Sequence, residues 1–229
     1  MCMATLNDLV FDPRMASMVG DFLIETGSYK VNFENLYNWK SGIKSPTYCN
    51  CRDLTEDGRY SSRIGNFLAE VVEDQFSEAD SIVSLAVAGL TWGSRVAQNL
   101  DLPFGYVRSV QKKHGIPKMV EGLSNDAKKV VIVDDLVAGG GSVVNAIEHL
   151  KKESDVEVLG VVSIVNWGFP MMKEKFDETD LKTRCLTSFP YIIGAAKRAG
   201  LVNNYQSEEL NSFYCDPKGY DMSRLVKNE

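Results

Sequence analysis

Between Lys129 and Asp134 the chain reads Val-Val-Ile-Val, an unbroken run of β-branched apolar residues. A strand that is half solvated alternates apolar with polar residues, so a run like this predicts a strand covered on both faces. That requirement leaves few architectures open. The neighbouring segments supply the cover. "SRIGNFLAEVVEDQ" (62–75) has helical periodicity, "DSIVSLAVAG" (80–89) reads as a strand entering a glycine loop, and "TWGSRVAQNL" (91–100) as a helix. "LPFGYVRS" is a short strand and "KKVVIVDD" the buried one. "SVVNAIEHLKKE" is a helix with Val143, Val144, Ile147 and Leu150 on one side, and "VEVLGVVSIVNWG" is the next strand. Strands and helices in this alternation predict an α/β fold with a central, mainly parallel sheet flanked by helices. Ligands of such sheets gather at the carboxyl ends of the strands.

Bulk properties narrow the function. The chain has 229 residues and a net charge of −6, which does not suggest a general nucleic-acid-binding surface. No apolar run approaches the roughly 20 residues that span a bilayer. The N-terminus lacks a basic stretch followed by an apolar block, so a cytoplasmic protein without membrane association is expected. Five cysteines at irregular spacing do not form a disulfide framework. Cys49 and Cys51 are close in sequence, but no second Cys/His pair completes a zinc set. No linker or repeat divides the chain, so a single domain over 1–229 is expected, with an N-terminal segment (1–60), a core (61–170) and a C-terminal helical extension (171–229).

The buried strand ends in two acids, Asp134 and Asp135, and three glycines follow: Gly139, Gly140 and Gly141. A glycine turn whose N–H groups converge, followed by a helix N-terminus near Ser142, makes a phosphate cradle. No Gly-Lys-Ser/Thr follows, so this is not a Walker loop. Carboxylates beside a phosphate repel it, so the acids more naturally face hydroxyls one sugar-length away. A ribose 5-phosphate meets both demands; taken alone, the acids also fit plain turn and cap residues.

"VVIVDDLVAGGGS" resembles the phosphoribosyl-diphosphate signature of type I phosphoribosyltransferases. The surrounding segments are similar to orotate phosphoribosyltransferases: "NWKSGIKSPTYCNCR" to their N-terminal substrate segment, "LPFGYVRSVQKKHGIPKMVEG" to their catalytic loop, and "GVVSIVNWGFP" to a strand end found in one branch. The tail "IIGAAKRAGLVNNYQSEELNSFYCDPKGY" is similar to that branch's C-terminal helices, and the likeness runs from about Ser17 to Tyr220. It implies the type I fold with an N-terminal hood and C-terminal helices, and transfer of phosphoribosyl from phosphoribosyl diphosphate to orotate, giving orotidine 5′-monophosphate for UMP synthesis.

The resemblance also implies roles. Asp134 and Asp135 serve the ribose, and Gly139, Gly140, Gly141 and Ser142 its phosphate. Lys112 and His114 are expected as loop residues at the pyrophosphate, with Lys113 beside them and Arg108 at the loop's base. Gly89, in "AVAGLTWG", offers a backbone N–H to pyrophosphate. Lys40 and Lys44 flank the Ser-Gly segment near the base, and Tyr48 takes the place of an aromatic that stacks on it. Trp167 and Phe169 are candidates for the pocket wall or for packing. Mg²⁺ is expected to arrive on the diphosphate with few protein ligands, so no protein metal cluster is expected. A homodimer with shared active sites follows from the same likeness.

Some positions differ from the family pattern. Ala138 and Gly139 stand where hydroxyl residues usually precede the glycines, which removes hydrogen bonds of about 1.5–3 kcal/mol each to a charged acceptor. Ser109 and Val110 stand where a further lysine is usual, and Ala88 where lysine or threonine is usual. Asn166-Trp167 occupies the place where many members carry an arginine, although the Gly-Phe-Pro branch lacks it too. Two other readings therefore stay open: a transferase for another base, and a non-catalytic phosphoribosyl-binding regulator.

Overall fold

The Val130–Val133 run lies inside a six-stranded sheet in a computed structural model that describes residues 9–39, 42–110, 118–169, 176 and 181–226. In chain order the elements are α1 (Pro13–Glu25), β1 (Tyr29–Val31), β2 (Tyr37–Asn38), β3 (Lys44–Ser45), β4 (Thr47–Cys49), a 3-10 turn (Cys51–Thr55), α2 (Gly58–Gln75), β5 (Ser81–Leu85), α3 (Leu90–Asn99) and β6 (Phe104–Val107). There follow β7 (Val120–Glu121), β8 (Lys129–Val137), α4 (Gly141–Glu153), β9 (Glu157–Asn166), β10 (Lys182–Ser188), α5 (Phe189–Arg198), α6 (Asn204–Cys215) and a closing 3-10 turn (Met222–Val226).

The sheet order is β10-β9-β8-β5-β6-β7, with every pair parallel except β6-β7. The mainly parallel α/β sheet expected from the strand–helix rhythm is present. Consecutive residues of β8 feed two cores, as a strand covered on both faces must. Val131 and Val133 join the larger core with α1, α2, α3, α5 and α6, while Val130 and Ile132 meet Val143, Ala146, Ile147 and Leu150 of α4. One boundary differs from expectation in a way that matters. β8 does not stop at the acids but runs through them to Val137, because β9 keeps pairing: Asp134 faces Ser163 and Val137 faces Asn166. The acids are therefore held in strand geometry rather than at a loose strand end. Among the described residues no helix is long and apolar enough to cross a membrane.

The N-terminal segment and the C-terminal helices meet over the ends of β9 and β10 in a continuous aromatic cluster. Trp39 stacks on Trp167 (ring centroids 6.1 Å apart) and meets Phe213 edge-on, while Phe189 stacks on Tyr214 at 4.4 Å. Trp167 and Phe169 are thus packing residues of this cluster, both nearly fully buried. Trp39 is fixed further by its indole N–H, which donates to the Thr47 carbonyl at 3.0 Å. Phe213, fully buried between Trp39 and Tyr220, links α6 to the hood. Phe213→Ala is expected to cost about 3–5 kcal/mol of stability in a urea melt followed by tryptophan fluorescence; a loss below about 1 kcal/mol would mean the cluster closes over the gap.

Candidate active site

Asp134 and Asp135 project from β8 between β5 and β9, at the carboxyl end of the parallel strands. Adjacent residues of a strand point to opposite faces, yet here each carboxylate turns back to the chain. Asp134 Oδ1 accepts from the Asp135 N–H at 2.9 Å, and Asp135 Oδ1 from the Leu136 N–H at 2.9 Å. Asp134 is 8% exposed and Asp135 half-buried. Burial first, and then the charge of Asp135, pushes the Asp134 carboxyl well above the usual carboxylate range. Burial also raises Asp135, opposed by its contact with Asp134, by the Leu136 N–H and by the Arg52 guanidinium. Among the described residues the pair is short of positive partners, so a ligand that is cationic, or becomes so, finds its charge already complemented there.

Gly89 completes the floor. A Cβ at this position would lie 2.9 Å from Asp134 Oδ1, 2.9 Å from the Leu85 carbonyl and 3.0 Å from the Val133 carbonyl. Only glycine lets the start of α3 approach the acid so closely. Beyond the acids, Gly140 adopts φ +70° and caps α4, whose helix begins at Gly141. That left-handed turn leaves Gly141 and Ser142 exposed at the positive end of a helix of 13 residues, the geometry an anionic group requires.

The other expected residues fall into three groups. Arg108 is half-buried just past the end of β6, with its guanidinium 4.0 Å from the Glu121 carboxylate. Lys44 is exposed on β3, and Tyr48 is half-buried on β4, stacked on Tyr37 with ring centroids 5.5 Å apart. Lys40, Lys112, Lys113 and His114 lie outside the described residues. Among the described residues no group of three or more His, Cys, Asp and Glu side chains is arranged to hold a metal ion.

The structure brings the thiols of Cys49 and Cys51 together. Their sulfurs lie 3.8 Å apart, as two residues at i and i+2 of an extended segment share one face. The strand ends at Cys49 and a 3-10 turn starts at Cys51. The contact with Cys49, burial, and the two acids push the Cys51 thiol up. The same turn brings in a residue that spacing alone did not single out. Arg52 Nε donates to Asn50 Oδ1 at 2.8 Å, and the Asn50 amide is itself held by Asp53. This aims an exposed cation toward the acid pair from the N-terminal segment. The signal available in the sequence was its place as the last residue of the expected substrate segment.

With this geometry in view, the comparisons are direct. The Phosphoribosyl transferase domain profile matches residues 53–194, so the chain belongs to the phosphoribosyltransferase family. Its relatives narrow the family to the orotate phosphoribosyltransferases. The Porphyromonas gingivalis orotate phosphoribosyltransferase is 33% identical over 204 residues, covering 89% of this chain and 97% of that protein. The solved orotate phosphoribosyltransferase of Aeropyrum pernix superposes with a TM-score of 0.69 at 25% identity, covering 81% of this chain and all of that one. The Mycobacterium tuberculosis enzyme, solved in complex with 5-phospho-α-D-ribosyl 1-diphosphate, shares the fold at TM-score 0.60 and 18% identity, over 78% of this chain and 98% of that one.

The acid pair gives a stability test with a definite sign. Folded Asp134 keeps its proton at pH values where the unfolded chain has lost it. The stability tied to that proton is present below the ordinary aspartate range and is lost as pH rises toward the raised folded value. Asp134→Asn keeps the acceptor for the Asp135 N–H and removes the charge. It is expected to raise Tm at neutral pH and to flatten the pH dependence in thermal melts. A lower Tm at neutral pH would show that the carboxylate is ionised and satisfied in the empty site.

Proposed function

We propose that this protein is an orotate phosphoribosyltransferase, transferring the 5-phosphoribosyl group of phosphoribosyl diphosphate to orotate, with orotidine 5′-monophosphate and pyrophosphate as products. The observation that carries the reading is the buried, under-compensated pair Asp134/Asp135, with Gly89 against it and the Gly140 turn and α4 N-terminus beyond. The family membership supports the reaction, and the names of the relatives support the base.

In this reaction the bond from ribose C1 to the pyrophosphate oxygen breaks, and the oxygen keeps the electron pair. A ring nitrogen of orotate supplies the pair for the new bond to C1. Positive charge grows on the sugar while negative charge grows on the leaving group. Asp134 and Asp135 face the ribose hydroxyls and oppose the sugar's charge, in a site where low polarity strengthens that effect. Gly139, Gly140, Gly141 and Ser142 receive the 5-phosphate. The Gly89 N–H, Arg108, Lys112, Lys113 and His114 serve the leaving pyrophosphate. Lys40, Lys44 and Tyr48 serve the base.

Among the described residues no third His, Cys, Asp or Glu joins the two carboxylates, which suits a Mg²⁺ ion that would take most of its oxygens from the diphosphate. When bound, the ion neutralises charge on the leaving group. A cytoplasmic homodimer with shared active sites belongs to the same reading.

Orotate consumption with phosphoribosyl diphosphate and Mg²⁺, followed by absorbance, tests it. Asp135→Asn and His114→Ala are each expected to lower kcat by roughly 10²–10³-fold. Binding of phosphoribosyl diphosphate without orotate turnover would assign another base; no binding at all would leave a regulator without catalysis.

A further inference from the structure

The last turn of α4 reads Lys151-Lys152-Glu153. A helix favours cations at its carboxyl end, so the two lysines suit the position and the glutamate does not. The Glu153 side chain is nevertheless only 20% exposed. Its carboxylate reaches off the helix to the edge of the sheet. The Met119 N–H donates to it at 3.1 and 3.0 Å, and the Val120 N–H at 3.1 Å. β7 is the edge strand, so these N–H groups have no further strand to bond. His149, one turn earlier on α4, lies 4.0 Å from the same carboxylate.

What Glu153 holds is directly coupled to Arg108. Met119 gives its N–H to Glu153, and its carbonyl accepts from the Arg108 N–H at 2.8 Å. Val120 gives its N–H to Glu153 and pairs with Val107, the last residue of β6. Glu121, the next residue, sits 4.0 Å from the Arg108 guanidinium. One carboxylate therefore fixes the peptide groups that hold the Arg108 backbone, while the Arg108 Nε donates to the Val110 carbonyl at 3.2 Å. An open cleft of about 630 Å³, lined by Ser109, Val110 and Lys118 as well as by Asn145 and His149 of α4, runs alongside this contact. The Glu153 clasp adds a polar tie to the apolar packing of Val107, Met119 and Val120 against the helix.

We propose that Glu153 is a positioning residue for phosphoribosyl transfer: through Met119 and Val120 it sets Arg108 at the diphosphate end of the site. The proposal rests on the activity proposed above for Arg108's site. Glu153 touches no substrate itself, so its effect falls on one substrate only.

Glu153→Ala is expected to raise KM for phosphoribosyl diphosphate about tenfold, while KM for orotate stays within about twofold. Glu153→Asp keeps the charge but falls one methylene short, and follows the alanine variant. Glu153→Gln keeps one acceptor oxygen and recovers part of the loss. Lys152→Ala, the exposed neighbour, leaves both constants unchanged. Hydrogen exchange at the Met119 and Val120 amides reads the clasp independently of turnover: both are slow in the wild type and fast in the alanine variant. An unchanged KM for phosphoribosyl diphosphate, or an equal rise in both constants, would overturn the role. If the alanine variant fails to fold, the Asp and Gln variants decide by the same comparison. If the wild type does not turn over orotate, the proposed activity falls, and calorimetric binding of phosphoribosyl diphosphate to the same variants still tests Glu153.

Discussion

Two adjacent carboxylates held inside a parallel sheet are the constraint around which the rest of this molecule is arranged. Burial of a charged group is costly unless it is paired, and here full pairing is withheld. Asp134 and Asp135 receive one backbone N–H each from the residue that follows, and among the described residues Arg52 approaches as a counter-charge on Asp135. The continued pairing of β8 with β9 past the acids keeps them in the sheet, and Gly89 lets α3 close against them. A site of this kind is least stable when empty and charged. It gains most when something positive arrives, which is the property a reaction with a cationic sugar requires.

The parts around the acids are held by unrelated means. The N-terminal segment is pinned by the Asn50–Asp53 contact and by Trp39, which is wedged into the aromatic cluster shared with β9, α5 and α6. The C-terminal end of α6 is locked by Glu209, a buried acid that accepts from Tyr220 and pairs with Arg224. On the far side of the sheet, Glu153 ties the edge strand to α4. The outer elements thus reach the strand ends through specific polar or aromatic contacts, and the catalytic floor itself is glycine and backbone.

Much of this was legible in the residues. The apolar run of β8, the glycine turn and the strand–helix rhythm are local signals with long reach, because burial on both faces leaves one kind of sheet. What escaped depends on contacts between distant segments or on where an element stops. The strand runs through the acids because β9 is long enough to pair with them. Arg52 gains its place from Asn50 and Asp53, and Glu153 from amides more than 30 residues away in the chain. Trp167 and Phe169 were open between pocket and packing, and only the partner rings decide for packing.

The most direct measurement is the proton balance of phosphoribosyl diphosphate binding, by calorimetry with Mg²⁺ in buffers of different ionisation enthalpy at mildly acidic and neutral pH. If the empty acid pair holds a proton that the ribose hydroxyls and the accompanying Mg²⁺ displace, binding releases protons in the wild type and releases fewer in Asp134→Asn. Binding with no proton release, or with the same release in both proteins, would contradict the account of an under-compensated acid pair at the centre of the site.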